Sequence, residues 1–307
     1  TGIRVSRLCF GSLTHSPSHG AVDRRRAAAL LRFALEQGIN FIDTAESYQN
    51  YECLRIALAG RSDEAVIASK SYAYTRKDME RSLTGALRAL DRSYLDLFLL
   101  HEQETALTIR GHYEALAYLL EAKEKGLVRA VGISTHAVAA VRAAAAMAEI
   151  DVIHPLLNRQ GLGIIDGDCE AMLAAVAEAR AAGKGIYVMK ALGGGHLAGE
   201  AAEALRFVFG LPFVDAVAVG MASRAEVKAN VLLADGRPLP PRLAQAVRAR
   251  PRRLLVEEWC TGCGACVASC HQGALVVVDG RVQVRAARCI LCGYCARACR
   301  DFCLKVV

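Results

Sequence analysis

Nine of the twelve cysteines lie in the last fifty residues, and eight of them fall in one rhythm used twice. The first run is Cys260-x-x-Cys263-x-x-Cys266-x-x-x-Cys270 and the second is Cys289-x-x-Cys292-x-x-Cys295-x-x-x-Cys299. Soft thiolates at this spacing suit two cubane iron–sulfur clusters. Three closely spaced cysteines wrap one cluster, and the fourth ligates the other. The expected sets are therefore Cys260, Cys263, Cys266 and Cys299 for one [4Fe–4S] cluster. Cys289, Cys292, Cys295 and Cys270 would hold the other. Structural zinc usually takes two pairs separated by a longer loop, which leaves a third cysteine in each run unexplained. Disulfides need an oxidising compartment, and no secretory segment is seen. Such runs usually continue with Pro, whereas here His271 and Arg300 follow. That alters the local turn and leaves the ligands intact.

The 307 residues suffice for a barrel of about 250 plus a module of about 55. The chain begins at Thr1 inside what reads as a strand approach, so a short preceding piece is expected. No apolar run reaches the length of about 18 that spans a bilayer. The stretch Ala137–Ala148 is interrupted by Arg142 and reads as a packed helix. The net charge is +7, but Lys and Arg are spread along the chain without a basic stripe, which argues against nucleic acid as a partner. The cysteine usage fits a reducing cytoplasm. Of the remaining cysteines, Cys53 and Cys169 carry no assignment, and Cys9 and Cys303 sit in apolar runs and read as core.

Upstream of the ladders, short apolar runs alternate with longer amphipathic ones. The runs are Leu8–Phe10, Phe41–Ile42, Ala65–Ala68, Leu95–Leu100, Val128–Ile133, Val152–His154, Ile186–Met189 and Val214–Val219. Helical periodicity marks Arg24–Gln37, Lys77–Leu90, Gly111–Lys125, Cys169–Ala182 and Arg224–Leu233. Gly38, Gly126 and Gly183 stand where a C′ glycine ends a helix. Eight strands, each followed by a helix, predict an α/β fold: a parallel (β/α)8 TIM barrel. An open doubly wound sheet shows the same alternation, but the count of eight and the lack of an early G-x-G-x-x-G favour closure. Asp235-Gly-Arg-Pro-Leu-Pro-Pro241 breaks the composition, and Arg242–Arg250 reads as a short helix. Between the ladders, Ala274–Val278 and Arg281–Val284 predict a hairpin around Asp279-Gly280. The expected organisation is a barrel over 1–235, a linker over 236–251, and a small α+β two-cluster module over 252–307.

Catalysis in such barrels sits at the C-terminal ends of the strands. Asp43 follows Phe41-Ile42, with Tyr48 five residues on; Lys70 ends the next run and His101 the one after. A phenol with an ordinary pKa near 10 is a usable acid only if its proton is made easier to lose, which a nearby ammonium does. The carboxylate holds the Lys, and the imidazole orients a substrate oxygen. Taken singly, Asp43 is an N-cap, Lys70 a solvated strand end and His101 a partner for backbone. All four at strand ends point to one site.

These residues resemble the aldo-keto reductases. The resemblance is carried by Asn40-Phe-Ile-Asp-Thr-Ala-Glu-Ser-Tyr48, Ser69-Lys70, Asp96-Leu-Phe-Leu-Leu-His101, Val131-Gly-Ile-Ser134, Met189-Lys-Ala-Leu-Gly-Gly-Gly195 and Gly220–Asn230. The whole chain resembles a subgroup with a C-terminal two-cluster ferredoxin domain. This implies NAD(P)H-dependent reduction of a small aldehyde or ketone, with Tyr48 as proton donor and Asp43, Lys70 and His101 assisting. It also implies Ser134 and Asn158 at the nicotinamide carboxamide. Lys190, Leu192, Gly193 and Gly194 would lie at the pyrophosphate, and Ser223, Glu226 and Asn230 at the adenosine end. Met189 stands where many members place an aromatic ring, and Thr135 where Asn is usual. Arg224 is the candidate for a 2′-phosphate, which leans the reading to NADPH over NADH. Asn158-Arg159-Gln160 and Tyr72 are candidates for lining the substrate mouth.

Hydride transfer moves two electrons, whereas these clusters take one at a time. A flavin could join the two, but no motif for one is seen. Residues 251–307 carry eight Lys/Arg against four Asp/Glu. That excess offsets anionic clusters, or greets an acidic redox partner protein; the first is favoured. A reading from another class also stands: an electron-transfer protein whose barrel is mainly a binding scaffold.

Overall fold

The computed structural model describes residues 1–19 and 23–307. Its larger part is a closed parallel barrel in sequence order, β8 returning to pair with β1. The strands are β1 (Leu8–Gly11), β2 (Phe41–Asp43), β3 (Val66–Ser71), β4 (Leu95–Leu100), β5 (Val128–Thr135), β6 (Val152–Pro155), β7 (Gly185–Val188) and β8 (Ala216–Gly220). A strand of a closed barrel is covered on both faces, so it reads as an unbroken apolar run. In β4, all six residues of Leu-Asp-Leu-Phe-Leu-Leu are buried. The period of two then separates two cores. Phe41, Leu97 and Leu99 pack with Cys9, Ala130 and Tyr187 inside the barrel. Their neighbours Ile42, Phe98 and Leu100 face outward under the helices.

The outer helices are α1 (Arg24–Glu36), α2 (Tyr51–Leu58), α3 (Arg76–Leu90), α4 (Ala106–Gly111), α5 (Tyr113–Glu124), α6 (Val138–Ala145), α7 (Cys169–Ala181), α8 (Ala201–Phe209) and α9 (Arg224–Ala234). Asp23 caps α1 through the amides of Arg25 and Arg26, and Asp168 caps α7 through that of Ala171. Gly38, Gly126 and Gly183 follow α1, α5 and α7 with positive φ, as expected for C′ positions. The helix expected over Gly111–Lys125 forms as α5, and a short helix not read from the sequence, α4, precedes it. Thr105 and Thr108 form a capping box that starts α4, and His112 breaks the path before α5. Among the described residues, no helix is long and apolar enough to cross a membrane.

The linker carries α10 (Pro241–Arg248), begun by a proline at its first turn. The C-terminal module follows. Its ladders each hold a short helix, α11 (Ala265–Ala268) and α12 (Tyr294–Ala298), entered through Gly264 and Gly293 with positive φ. The hairpin forms as β10 (Leu275–Val278) and β11 (Arg281–Val284). A second pair was not legible in the sequence: β9 (Leu254–Val256) lies antiparallel to β12 (Leu304–Val306). This pair ties the two ends of the module together. Ala296 and Phe302 of the module share a buried cluster with Leu156, Leu162, Leu197 and Ala204 of the barrel. Arg297 also donates to Gln160 at 2.9 Å. The module thus sits on the barrel rim from which the loops after β6 and β7 rise.

Candidate active site

The ends of β2, β3 and β4 bring Asp43, Lys70 and His101 to one mouth, and a 3-10 turn, Glu46–Tyr48, delivers Tyr48. The Lys70 ammonium is 1% exposed. It donates to Asp43 Oδ2 at 2.9 Å and to the Thr44 carbonyl at 2.7 Å. Two acceptors at short range satisfy two of the three N–H groups of this buried ammonium. The same Nζ lies 4.8 Å from the centre of the Tyr48 ring. The His101 ring stands edge-on to Tyr48, with 6.1 Å between centroids.

Two residues that the sequence did not single out complete this knot. Asp43 Oδ1 accepts from the Tyr187 hydroxyl at 3.1 Å and faces His154 Nε2 at 3.6 Å. His154 stacks on Tyr187, with 3.8 Å between centroids, and its Nδ1 is 2.6 Å from the Tyr187 carbonyl. Burial, helped by Lys70, lowers the His154 imidazole to about 4 against the pull of Asp43. His154 is therefore neutral at pH 7. The legible signal was a polar residue inside each of two apolar strands.

The titration of Tyr48 differs from the sequence expectation. Burial raises its phenol well above the ordinary value, and Asp43 and Glu102 add to the effect. In the resting site the Lys70 ammonium is turned to Asp43 and the Thr44 carbonyl. The phenol therefore keeps its proton until a strong base forms beside it. Burial, then Lys70, Lys190 and His154, hold His101 well below the usual imidazole range. His101 is thus neutral. Tyr72 stacks on it at 4.3 Å, its hydroxyl tied to Glu102 at 2.5 Å.

A cleft of about 230 Å³ opens from this knot, with Asp43, Tyr48, His154 and Met189 at one end. Lys190, Leu192 and Gly194 line its middle, and Glu226, Asn230 and Arg250 its far end. Gly193 is buried beside Leu162 and Leu197. Ser134, Asn158, Ser223 and Arg224, expected at the nucleotide, do not line the cleft. The Ser134 hydroxyl accepts the Glu102 amide at 2.9 Å. The Asn158 amide closes its own loop, donating to the Leu162 carbonyl at 2.9 Å and accepting from the Leu162 amide at 3.0 Å. Ser223 caps α9 through the Glu226 amide. Arg224 rests on Phe33, 4.9 Å from the ring centre, and the cleft instead receives Arg250 and Arg252 from the linker. Arg159 and Gln160, expected near substrate, are engaged by Glu200, Glu203 and Arg297.

The lining fits a phosphate-bearing nucleotide in part. It joins the Tyr48 end to a basic middle and an arginine-bearing far end. The glycine loop, however, already has a neighbour. A Cβ on Gly195 would overlap the Val306 carbonyl, and one on Gly194 would come within 2.9 Å of Lys305 Cδ. These glycines admit β12 of the module as well as leaving room for a ligand. Gly195→Ala, which adds the clash at a φ of 87°, is expected to cost about 2 kcal/mol or more. A drop of several degrees in the thermal midpoint, absent in Gly199→Ala, checks it; Gly199 has nothing within 4 Å of a built Cβ.

The cysteines gather around two cavities. One is lined by Cys260, Cys263, Cys266 and Cys299. The other is lined by Cys270, Cys289, Cys292 and Cys295. Each draws its fourth sulfur from the opposite ladder. Sulfurs around a cavity of this kind fit a cubane, and amides already point at two of them: Ala274 N–H to Cys270 Sγ and Cys303 N–H to Cys299 Sγ, at 3.3 and 3.2 Å. Cys303 is buried as expected and also lines the first cavity.

Comparison with known proteins bears on both halves. Residues 7–207 match the aldo/keto reductase family, and residues 254–300 match the 4Fe-4S dicluster domain. The chain belongs to the aldo/keto reductase family. A curated relative is aldo-keto reductase YhdN of Bacillus subtilis, 27% identical over 174 residues, covering 52% of each chain. This chain thus spans about half the length of that relative. The solved structure of PA4992 from Pseudomonas aeruginosa is 28% identical, with a TM-score of 0.66, over 76% of this chain and 91% of that one. An aldo-keto reductase from Klebsiella pneumoniae, solved in complex with NADPH, shares the fold: TM-score 0.63 at 23% identity, covering 80% of this chain and 90% of that one. The C-terminal dicluster domain makes this family member an iron–sulfur protein.

Proposed function

We propose that this chain is an NADPH-dependent reductase of small aldehydes or ketones, with Tyr48 as the proton donor. The reading is carried by the Asp43–Lys70–Tyr48–His101 array opening into a cleft with a basic middle. Bound NADPH supplies the hydride. The chain does the rest. Neutral His101 is a hydrogen-bond partner for the carbonyl oxygen and orients it. Tyr48, held protonated by burial, gives its proton to the alkoxide oxygen as that oxygen gains charge. Lys70, fixed by Asp43, lies close enough to stabilise the phenolate left behind. Tyr187 holds the second Asp43 oxygen, and His154, stacked on Tyr187, steadies that ring, so that Lys70 stays in place. Arg250 and Arg252 favour the 2′-phosphorylated nucleotide.

Cys260, Cys263, Cys266 and Cys299 are proposed to hold one [4Fe–4S] cluster, and Cys270, Cys289, Cys292 and Cys295 the other. The module's seat on the barrel rim favours a redox role for them beside a structural one. Single-electron exchange with a partner protein then remains a second activity, and a flavin is not required for the carbonyl reaction.

The test is steady-state NADPH oxidation with an aldehyde panel across pH 6 to 10. Turnover is expected. Burial lowers Lys190 to about 8 in the free protein, and Lys70 adds to this against Glu102 and Glu257. A bound phosphate raises that value again, so nucleotide affinity is full below pH 8 and is lost as pH rises through it. The KM for NADPH should therefore climb above pH 8, by at most about tenfold per pH unit for one proton. No turnover with any carbonyl would overturn the reading.

A further inference from the structure

Lys305 is the penultimate residue of β12 and belongs to the cluster module, yet it lines the barrel's cleft. It is 6% exposed. Its Nζ donates to the Phe302 carbonyl and lies 3.3 Å from the centre of the Phe302 ring. Lys190 meets the same ring, its Nζ 5.3 Å from the centre. The other partner of Lys190 is His136 Nε2, at 2.7 Å. Among the described residues, neither lysine has a carboxylate within ion-pair distance. The nearby acids face other groups: Glu257 is buried with its carboxylate 3.5 Å from His19 Nε2, and Glu102 accepts from the Tyr72 hydroxyl.

Two lysines at one buried aromatic ring, with Glu102 and Glu257 beyond ion-pair distance, are a poorly balanced arrangement. A buried charge without a counter-charge costs several kcal/mol, and one cation–π contact offsets only about 2 of them. Burial, then the nearby Lys190, push Lys305 well below its ordinary value. A purely structural contact with Phe302 would be better served by an apolar side chain of the same length. What lysines gain here is an anion that enters the cleft and leaves it.

We propose that Lys305 and Lys190 form a two-pronged site for phosphate oxygens, so that the cluster module supplies part of the nucleotide site. The ligand is a diphosphate, and the inference rests on the reading that this cleft takes a nicotinamide dinucleotide. Lys190 approaches from the loop after β7 and Lys305 from β12, the strand seated on Gly194 and Gly195. The glycines serve both partners: they let β12 come close enough to offer its lysine to the phosphate. Arg250 and Arg252 extend the same basic wall towards the far end. Nucleotide occupancy and module docking are then coupled, since each favours the other.

The experiment measures binding rather than turnover, on full-length protein with its clusters intact. NADPH is followed by nicotinamide fluorescence and inorganic pyrophosphate by calorimetry, both without oxygen. Lys305→Met keeps the chain length and the packing on Phe302. It is expected to weaken both ligands by about 10- to 100-fold, the loss of a hydrogen bond to a charged group. Lys305→Arg should recover affinity to within about threefold, since guanidinium suits phosphate. The visible cluster band and the thermal midpoint report that each variant is folded. Should Lys305→Met disturb them, Lys305→Arg still decides the matter through the salt dependence of pyrophosphate binding, which must match wild type. Wild-type affinity for both ligands in folded Lys305→Met overturns the proposal. The two readings separate cleanly. Pyrophosphate binding that depends on Lys305, without binding of any nicotinamide nucleotide, keeps the lysine pair and sinks the reductase. NADPH binding indifferent to Lys305 does the reverse.

Discussion

Tyr48→Phe should lower kcat for carbonyl reduction by about three orders of magnitude and leave the Kd for NADPH within twofold of wild type. The magnitude is that of a positioned general acid, about 10²- to 10⁴-fold. The geometry makes the substitution clean. No hydrogen bond to the Tyr48 hydroxyl is present among the described residues, so its removal strands no buried partner. The ring that meets Lys70 and His101 is retained. Burial keeps the phenol protonated throughout the neutral range, so the wild-type rate should not fall on the alkaline side through Tyr48 until pH is well above 10. A single-turnover measurement with excess enzyme separates this loss from slow product release. Retention of more than a tenth of the wild-type rate would mean that the proton comes from elsewhere. Neutral His101 is the first alternative, and His101→Asn would then carry the larger loss.

The barrel was legible because its physics is local and repeated. Strands covered on both faces, as in Leu95–Leu100, leave continuous apolar runs, and helix ends carry their own stop signals, as at Gly38 and Gly183. The cysteine ladders were legible for a different reason: cluster chemistry fixes ligand spacing along the chain. What escaped was set by packing between distant segments. Three-residue strands such as β9 and β12 have too few residues to show a period. The Asn158 side chain was expected at a ligand, but its loop needed an amide to close the turn over Leu162, a demand that no spacing rule shows. Arg250 and Arg252 reach the cleft only because α10 packs on α9 and turns the linker towards it. His154 and Tyr187 sit in strands read as apolar, and their partnership across β6 and β7 emerges only once the barrel closes. Lys305 is the extreme case. Sixteen residues after Cys289 and in another module, it faces a barrel loop 110 residues earlier in the chain.

Cys299→Ala and Cys260→Ala should lose the same cluster, although these residues lie in different ladders. Cys270→Ala should instead match Cys289→Ala. The structure places Cys299 at the cavity of the first ladder and Cys270 at that of the second. Each variant should therefore fall from about eight iron atoms per chain to about four. The reduced-state EPR spectra should sort into two pairs across the ladders. If each ladder held its own cluster, Cys299→Ala would resemble Cys289→Ala, and the crossed assignment would be wrong. Stability adds a second readout. The module is small, and its core consists of a few side chains such as Leu254, Leu275, Val282 and Leu304, together with Cys266 and Cys295 themselves. A core of that size depends on its clusters for much of its stability. The losses should differ in reach. Cys299 lies three residues before Phe302, whose side chain joins module to barrel. Loss of the cluster that holds Cys299 should free the segment carrying Phe302 and Lys305 and weaken NADPH binding with it. Loss of the cluster held by Cys270 leaves that segment anchored through Cys299 and should spare the nucleotide site.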